Sequence, residues 1–313
     1  MQKRTDMQVS RFFRIGLREM NKGGVLMYRC ISTKRVMAVT VLLTVTMGIL
    51  FLLTGVCRAL AAPESPPEGI FLPVIMYHSI REPDNDYQLS PAALESDLRY
   101  LREHGYESVT AAQLIDYTHG NGELPPHPVL ITFDDGFYNN LSDALPLLEQ
   151  YDMHAVISIV GKYTDETAPA DPHVPAYSYL TWEDVQALLD SGRVEIGSHT
   201  YDLHRNEERA GCSIRLGEDP DAYKSMLRGD LDKLQTQCRK KTGISPAVFA
   251  YPYGFVCRES IPVLNELEFS VTLTCREAPN YITRDPACLY GLGRYHRSPK
   301  YSTEEFFEKV LTP

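Results

Sequence analysis

Residues 129–136 read Val-Leu-Ile-Thr-Phe-Asp-Asp-Gly, an unbroken apolar run that closes on two carboxylates and a glycine. Such a run predicts a strand that is buried on both faces of a parallel sheet. Within a regular strand Asp134 and Asp135 would point to opposite faces, but at the strand end Gly136 can adopt a backbone conformation that turns both into one site. Two adjacent carboxylates repel each other and need a cation or a proton between them. The alternative is an ordinary Asp-Gly turn.

Short apolar runs and longer amphipathic segments alternate on both sides of this strand. They predict strands over residues 71–77, 129–133, 155–160, 194–197, 247–251 and 270–274. They predict helices over residues 91–104, 111–117, 138–150, 182–190, 222–242, 259–267 and 303–311, with caps at Ser90, Thr181 and Ser302 or Thr303. This alternation is typical of an α/β fold, and a single domain over residues 70–313, about 240 residues, favours a barrel over an open sheet.

Residues 198–204, which follow one of these strands, read Ser-His-Thr-Tyr-Asp-Leu-His. Two histidines five positions apart lie about 140° apart on a helix and on opposite faces of a strand. His199 and His204 can therefore converge only if the segment is a loop. With one carboxylate they would suit zinc or a similar divalent ion. The alternative is two unrelated histidines, one capping and one solvated.

Two further strand ends carry residues that could contribute to the same site. Residues 249–254 read Phe-Ala-Tyr-Pro-Tyr-Gly, a strand that runs into a rigid turn, and His78 directly follows the first strand. The carboxyl ends of parallel strands meet at one edge of a barrel, where reactive groups collect. The sequence therefore predicts that all four segments contribute to one site.

Together these segments resemble the polysaccharide deacetylases of carbohydrate esterase family 4, the NodB-homology proteins, over essentially all of residues 70–313. Residues 132–136 (Thr-Phe-Asp-Asp-Gly) match the first motif of that family. Residues 198–204 match the second motif in the spacing typical of the poly-N-acetylglucosamine deacetylase branch, and residues 251–254 (Tyr-Pro-Tyr-Gly) resemble the third. The resemblance implies a distorted, partly open (β/α) barrel of about seven strands.

The resemblance also implies a chemistry: metal-dependent hydrolysis that removes acetyl groups from N-acetylglucosamine-type sugars of a polysaccharide. Asp134 would be the catalytic base, and the metal ligands would be Asp135, His199 and His204. The ion would be zinc, with cobalt, nickel, manganese or iron as alternatives. Peptidoglycan, poly-N-acetylglucosamine and chitin all present the same acetamide, so the polymer stays open.

Two other roles follow from the same mechanism. The backbone N–H of Tyr253, beside Pro252 in the third motif, would stabilise the oxyanion and contact the substrate. Departure of the amine requires a proton donor, and His78 resembles the general acid of the branch in which that residue lies on the first strand. His296 is the alternative donor.

One position departs from the family pattern. The third motif usually begins with an arginine that contacts the base, and here that position is Ala250. Arg294 is a candidate replacement that would orient the base from another strand end; the alternative is that Arg294 forms a surface salt bridge. The missing arginine also leaves a second function open, that of a catalytically impaired deacetylase-fold protein that binds carbohydrate at the cell surface.

The charge distribution bears on partners and location. Residues 1–61 carry ten basic and two acidic residues, which leaves 21 basic and 39 acidic residues in the rest of the chain. Such an acidic domain argues against nucleic acid as a partner. It also lacks an evident phosphate clamp near the motifs, which argues against a metal phosphoesterase.

Residues 36–57 run for 22 positions without a charge. A helix of that length spans roughly 30 Å, and basic residues precede it, so the segment predicts a transmembrane signal anchor. The organisation would be a cytoplasmic basic segment (1–35), the anchor (36–57), a linker (58–69) and an extracytoplasmic catalytic domain (70–313). A cleaved signal peptide, giving a secreted protein, is the alternative, since residues 59–61 read Ala-Leu-Ala. The start of translation stays open between Met1 and Met27.

Seven cysteines are present, and five of them follow residue 57 in no zinc-binding or redox spacing. Most are predicted to be small buried side chains, with one or two disulfides whose pairing the sequence does not give.

Overall fold

The computed structural model describes residues 16–20, 26–30, 33–60, 68–167 and 173–312. The chain divides into two compact units, Met1–Pro67 and Glu68–Pro313. In the first unit, strands β1 (Gly16–Met20) and β2 (Leu26–Cys30) pair in antiparallel fashion, and helix α1 spans Thr33–Leu60.

The predicted transmembrane anchor over residues 36–57 falls within α1. In the described parts of the chain, no helix has both the length and the apolar character that crossing a membrane requires. The anchor is therefore not supported. Of the predicted linker, residues 61–67 lie outside the described residues.

The second unit is built on a curled sheet of parallel strands. Its strands are β3 (Ile70–Phe71), β4 (Val74–Tyr77), β5 (Ser79–Ile80), β6 (Gln88–Leu89), β7 (Glu107–Ser108), β8 (Pro128–Asp135), β9 (Ala155–Ile159), β10 (Val194–Ser198), β11 (Val248–Ala250), β12 (Val271–Leu273), β13 (Tyr281–Ile282) and β14 (Tyr295–His296). Seven strands pair in the order β12-β11-β10-β9-β8-β4-β14, all in parallel, and β7 pairs with β8 beside that path. The result is a curled half-barrel, which confirms the predicted partly open barrel of parallel strands.

Helices cover the sheet, and several of them begin at a residue whose side chain accepts a backbone N–H bond. They are α2 (Pro91–Glu103), α3 (Ala111–Thr118), α4 (Leu145–Gln150), α5 (Gly161–Glu166), α6 (Trp182–Asp190), α7 (Pro220–Thr242), α8 (Ile261–Glu266) and α9 (Thr303–Val310). Ser90, Thr181 and Ser302 each accept a backbone N–H bond at a helix start, as predicted, and the latter two form capping boxes.

Several predicted boundaries are wrong, most of them next to a proline. The strand predicted over residues 71–77 is interrupted at Pro73, which has no N–H to donate to a neighbouring strand. The helix predicted over 138–150 is a π-helical turn, Asn140–Ala144, followed by α4, which contains Pro146 in its first turn. Helix α5 and strand β14 were not predicted, because both are too short to show a period.

Alternate residues of the central strands pack into different hydrophobic clusters. Ile131 of β8 and Ile157 of β9 belong to the cluster that contains the buried side chains of α2 and α6. Their neighbours Leu130 and Val156 belong to a second cluster, which includes side chains of α3. Both faces of the strands are therefore buried, which explains their continuous apolar sequences.

A buried ion pair ties α2 to the segment that follows β14. Asp97, with no exposed surface, accepts bonds from Arg297 Nε (2.8 Å) and Nη2 (3.1 Å), from the Thr303 hydroxyl (2.7 Å) and from the Tyr77 hydroxyl (3.1 Å). The Arg297 side chain also donates to two backbone carbonyls, so the strand end that carries His296 is held in place.

All five cysteines of this unit are free: Cys212, Cys238, Cys257, Cys275 and Cys288. Three of them are buried, in line with the prediction that most act as small apolar side chains. The one or two predicted disulfides are not formed among them.

Candidate functional site

The parallel arrangement brings the predicted segments to one edge of the sheet. There they line a cavity of about 480 Å³. Its walls are Met76, His78, Tyr87, Asp134, Asp135, His199, His204, Tyr253, Cys275 and His296. Each of these side chains lies on or just beyond one of strands β4, β8, β10, β11, β12 and β14, apart from Tyr87, which lies just before β6.

Asp134 lies at the centre of this site and is almost completely buried. Its two carboxylate oxygens accept bonds from Arg294 Nη1 (2.8 Å) and Nη2 (2.7 Å). Arg294 itself has no exposed surface, and its Nε donates to the Thr274 carbonyl oxygen (2.9 Å). The alternative of a surface salt bridge is therefore wrong. The guanidinium comes from just before β14, whereas Ala250, at the motif position, lies buried in β11.

Asp135 turns away from the strand direction. Its φ of 74° and the φ of 73° at Gly136 both lie in the left-handed region, and a Cβ at position 136 would come within 3.0 Å of Ile159. Glycine tolerates this conformation, whereas at Asp135 the surrounding structure must stabilise it. The two successive left-handed residues bring both carboxylates to the same side, as the sequence predicted.

His199 and His204 converge on Asp135 because the segment between them is a loop. The Nε2 atoms of His199 and His204 lie 3.6 Å and 3.2 Å from Asp135 Oδ1. His199 Nδ1 lies 2.8 Å from the Ala250 carbonyl oxygen, which fixes the ring and leaves Nε2 facing the carboxylate. Asp230 of α7 accepts the backbone N–H groups of both residues 201 and 202 at 2.8 Å, which fixes the loop.

The three side chains fit a divalent cation. One ligand atom from each lies within 4.8 Å of the others. Asp135 Oδ1 is buried and accepts no hydrogen bond, although it faces two imidazole nitrogens. Burial raises the pKa of Asp135 to about 6 and lowers the pKa of both histidines, so the site favours neutral imidazoles and lacks a positive charge for its carboxylate. A bound cation would supply that charge, and one carboxylate with two imidazoles is a suitable ligand set.

Asp134 has the opposite electrostatic character. Burial alone would raise its pKa, but the charge and the hydrogen bonds of the Arg294 guanidinium hold the pKa of Asp134 well below its usual range. Asp134 therefore stays ionised at neutral pH and can accept a proton. The two adjacent carboxylates are distinguished by their neighbours.

The remaining predicted residues line the same cavity or lie in the turn that follows β11. Pro252 is buried, and Tyr253 has a φ of 57° and stacks on the His204 ring at 4.7 Å between centroids. His78 and His296 lie edge to face at 5.6 Å. His78 Nδ1 is buried without a partner, and burial lowers the pKa of the ring to about 3.

Three wall residues were not predicted from the sequence: Met76, Tyr87 and Cys275. Cys275 follows β12, so its position at a strand end was an available signal. Tyr87 lies in a short irregular stretch, where no sequence pattern indicated a role.

Comparison with known proteins finds a family similar to this chain. Residues 121–272 match the family model described as polysaccharide deacetylase. This part of the chain is therefore similar to polysaccharide deacetylases.

Individual relatives extend the similarity across most of the chain. The chain is 25% identical over 277 residues to the poly-beta-1,6-N-acetyl-D-glucosamine N-deacetylase of Escherichia coli K12. That match covers 82% of this chain but only 40% of the E. coli protein.

Two solved structures share the fold. IcaB from Ammonifex degensii is 25% identical with a TM-score of 0.65, over 78% of this chain and 98% of IcaB. The BpsB deacetylase domain from Bordetella bronchiseptica is 26% identical with a TM-score of 0.59, over 75% and 97% of the two chains.

Proposed function

We propose that the chain is a metal-dependent N-deacetylase that releases acetate from a polymer of N-acetylglucosamine-type sugars. The observation that carries this proposal is the unpartnered Asp135 Oδ1 between two imidazole nitrogens, next to a buried Asp134 that stays ionised. The relatives named as poly-N-acetylglucosamine deacetylases support the substrate class. The argument for a catalytically impaired protein was the missing arginine, and Arg294 supplies that guanidinium.

Asp135, His199 and His204 would hold the ion, and zinc is the proposed metal. When bound, it supplies Lewis acidity that polarises the acetyl carbonyl and lowers the pKa of water.

The remaining chemistry belongs to side chains and backbone of this chain. Asp134 accepts the proton of the attacking water as a general base. Arg294 keeps that carboxylate ionised and fixes its orientation. The backbone N–H of Tyr253, in the turn that Pro252 begins, donates to the oxygen on which negative charge develops.

His78 is the proposed general acid. Its ring is neutral in the cavity without substrate, because burial lowers its pKa to about 3. Negative charge that develops nearby during attack favours uptake of a proton from solvent by the ring, which can then pass that proton to the departing amine. His296 lies close enough to be the alternative donor.

The variants His78→Ala and His296→Ala distinguish these two donors. We expect His78→Ala to lower kcat on an N-acetylated oligosaccharide by about 10²-fold. It should retain activity on 4-nitrophenyl acetate, whose leaving group needs no proton. His296→Ala should lose less on the oligosaccharide, and the reverse order of the two losses would assign the role to His296.

The proposed function is tested by acetate release together with metal content. The purified chain is incubated with poly-N-acetylglucosamine, peptidoglycan and chitin oligomers, and bound metal is measured by mass spectrometry. We expect one equivalent of zinc and fastest release from poly-N-acetylglucosamine. A protein that binds metal and polymer but releases no acetate from any of them would instead be a carbohydrate-binding protein.

We also propose that the domain acts outside the cytoplasm, at the cell membrane or as a secreted protein. Its polymeric substrate class and the basic residues that precede the apolar segment support this location. Protease treatment of intact cells should degrade an anchored domain, and a domain protected until lysis would contradict the proposal.

A further inference from the structure

Tyr87 is an exposed aromatic residue in the wall of the catalytic cavity. The residue retains 63% of its surface, although it lies beside the buried ionisable groups of the site. Its ring stacks on His296 at 5.3 Å with an angle of 30°, and it meets the edge of His78 at 5.2 Å. One exposed ring therefore covers both candidate proton donors.

The loop that carries Tyr87 is held by several hydrogen bonds. The Tyr87 N–H donates to Asn85 Oδ1 (2.9 Å), and the Tyr87 carbonyl oxygen accepts from the Ser79 N–H (3.3 Å). Gln88 donates to the Pro83 carbonyl oxygen at 3.0 Å and accepts from Arg81 Nε at 2.9 Å. The ring is thus exposed but fixed, and a preorganised surface loses little entropy when a ligand binds.

The charged residue next to this ring is paired. Asp86, the residue before Tyr87, forms an ion pair with Lys300 at 2.9 Å. A neutral, fixed aromatic face suits the C–H face of a neutral sugar ring better than it suits an ion.

The cavity has a second aromatic wall. Tyr253 is 44% exposed and stacks on His204, so the two exposed tyrosines rest on two different histidines. A cavity of about 480 Å³ lies within the range of roughly 300–1,000 Å³ that takes whole small molecules, and it is larger than an acetamide group requires.

We propose that Tyr87, supported by His296, is the platform for the sugar ring next to the one that is deacetylated. This inference rests on the proposed function and deepens it. The enzyme would act on chains of at least two sugar units, and Tyr87 would be a specificity-determining residue rather than a catalytic residue.

The test compares Tyr87→Ala and Tyr87→Phe with the parent on two substrates. One is a β-1,6-linked N-acetylglucosamine pentamer, and the other is 4-nitrophenyl acetate, which has no neighbouring sugar. We expect Tyr87→Ala to lower kcat/KM for the pentamer about tenfold, mainly through KM. Hydrolysis of 4-nitrophenyl acetate should stay unchanged, and Tyr87→Phe should behave as the parent because it keeps the ring.

Tyr177→Ala is the matched control, since Tyr177 is 62% exposed and is not part of the cavity wall. This variant should leave the rates on both substrates unchanged. A loss on the pentamer confined to kcat would make Tyr87 a support for His78, because 4-nitrophenyl acetate needs no proton donor. An equal loss on both substrates would show that the metal site or the base is disturbed, and no loss on the pentamer would leave Tyr87 without a role; each of these results overturns the platform. A parent that releases acetate neither from the pentamer nor from the three polymers named above contradicts the proposed function itself, before any variant is made.

Discussion

Replacing Asp134 with asparagine is expected to lower turnover by about 10²–10⁴-fold while the protein keeps its metal. The amide has nearly the shape of the carboxylate but cannot accept the proton of the attacking water. The metal should remain because Asp134 is not one of the three proposed ligands. Those are Asp135, His199 and His204, and both imidazole Nε2 atoms face Asp135 Oδ1. Acetate release and metal content, measured on the same preparation, check both halves of the prediction.

The matched comparison is His204→Ala, which should lose metal and turnover together. Melting temperatures of both variants are needed, because Asp134→Asn also removes the charge that faces the buried Arg294. Activity within about tenfold of the parent in Asp134→Asn would show that another group is the base.

Replacing Arg294 with methionine is expected to destabilise the domain by about 3–5 kcal/mol and to lower activity. The change leaves the Asp134 carboxylate buried without the two bonds it accepts from the guanidinium. Asp134→Asn combined with Arg294→Met should be less destabilised than Arg294→Met, because no charge is then left unpaired. Thermal and denaturant unfolding measure both effects.

Arg228→Met is the control, since the Arg228–Glu266 pair is exposed and should contribute little. If Arg294→Met unfolds at the same midpoint as Arg228→Met, the buried pair does not stabilise the fold.

The same variant should change the pH dependence. In the parent, the depressed pKa of Asp134 means that the stabilisation from its ion pair is present at neutral pH and is lost only on strong acidification. Without Arg294, burial raises the pKa of Asp134 above its unfolded value. The loss of stability should then grow as the pH rises, and the acidic limb of kcat/KM should move to higher pH.

The sequence predicted the centre of the site because its chemistry lies at strand ends. The carboxylates after β8, the histidines after β10 and His78 after β4 each follow a buried strand, and parallel strands bring such ends together. The sequence could therefore predict that these side chains lie close together. The roles of these residues remain predictions that the variants above test.

Other features depend on packing that no local pattern reveals. Arg294 lies 160 positions from Asp134, and the pairing of β14 with β4 and of β4 with β8 brings the two together. Tyr87 is placed by side-chain hydrogen bonds in an irregular loop. The left-handed backbone at Asp135 and Thr200 also arises from tertiary contacts, since neither residue type requires it.

The position of Arg294 also bears on how the protein is made. Asp134 ends a strand in the middle of the sheet, yet its guanidinium partner is synthesised 160 residues later. Until then the nascent chain has a carboxylate that cannot be buried at low cost. We therefore expect ribosome-bound chains that stop short of Arg294 to remain accessible to proteases and to chaperones, and the proposed activity to appear only late in biosynthesis.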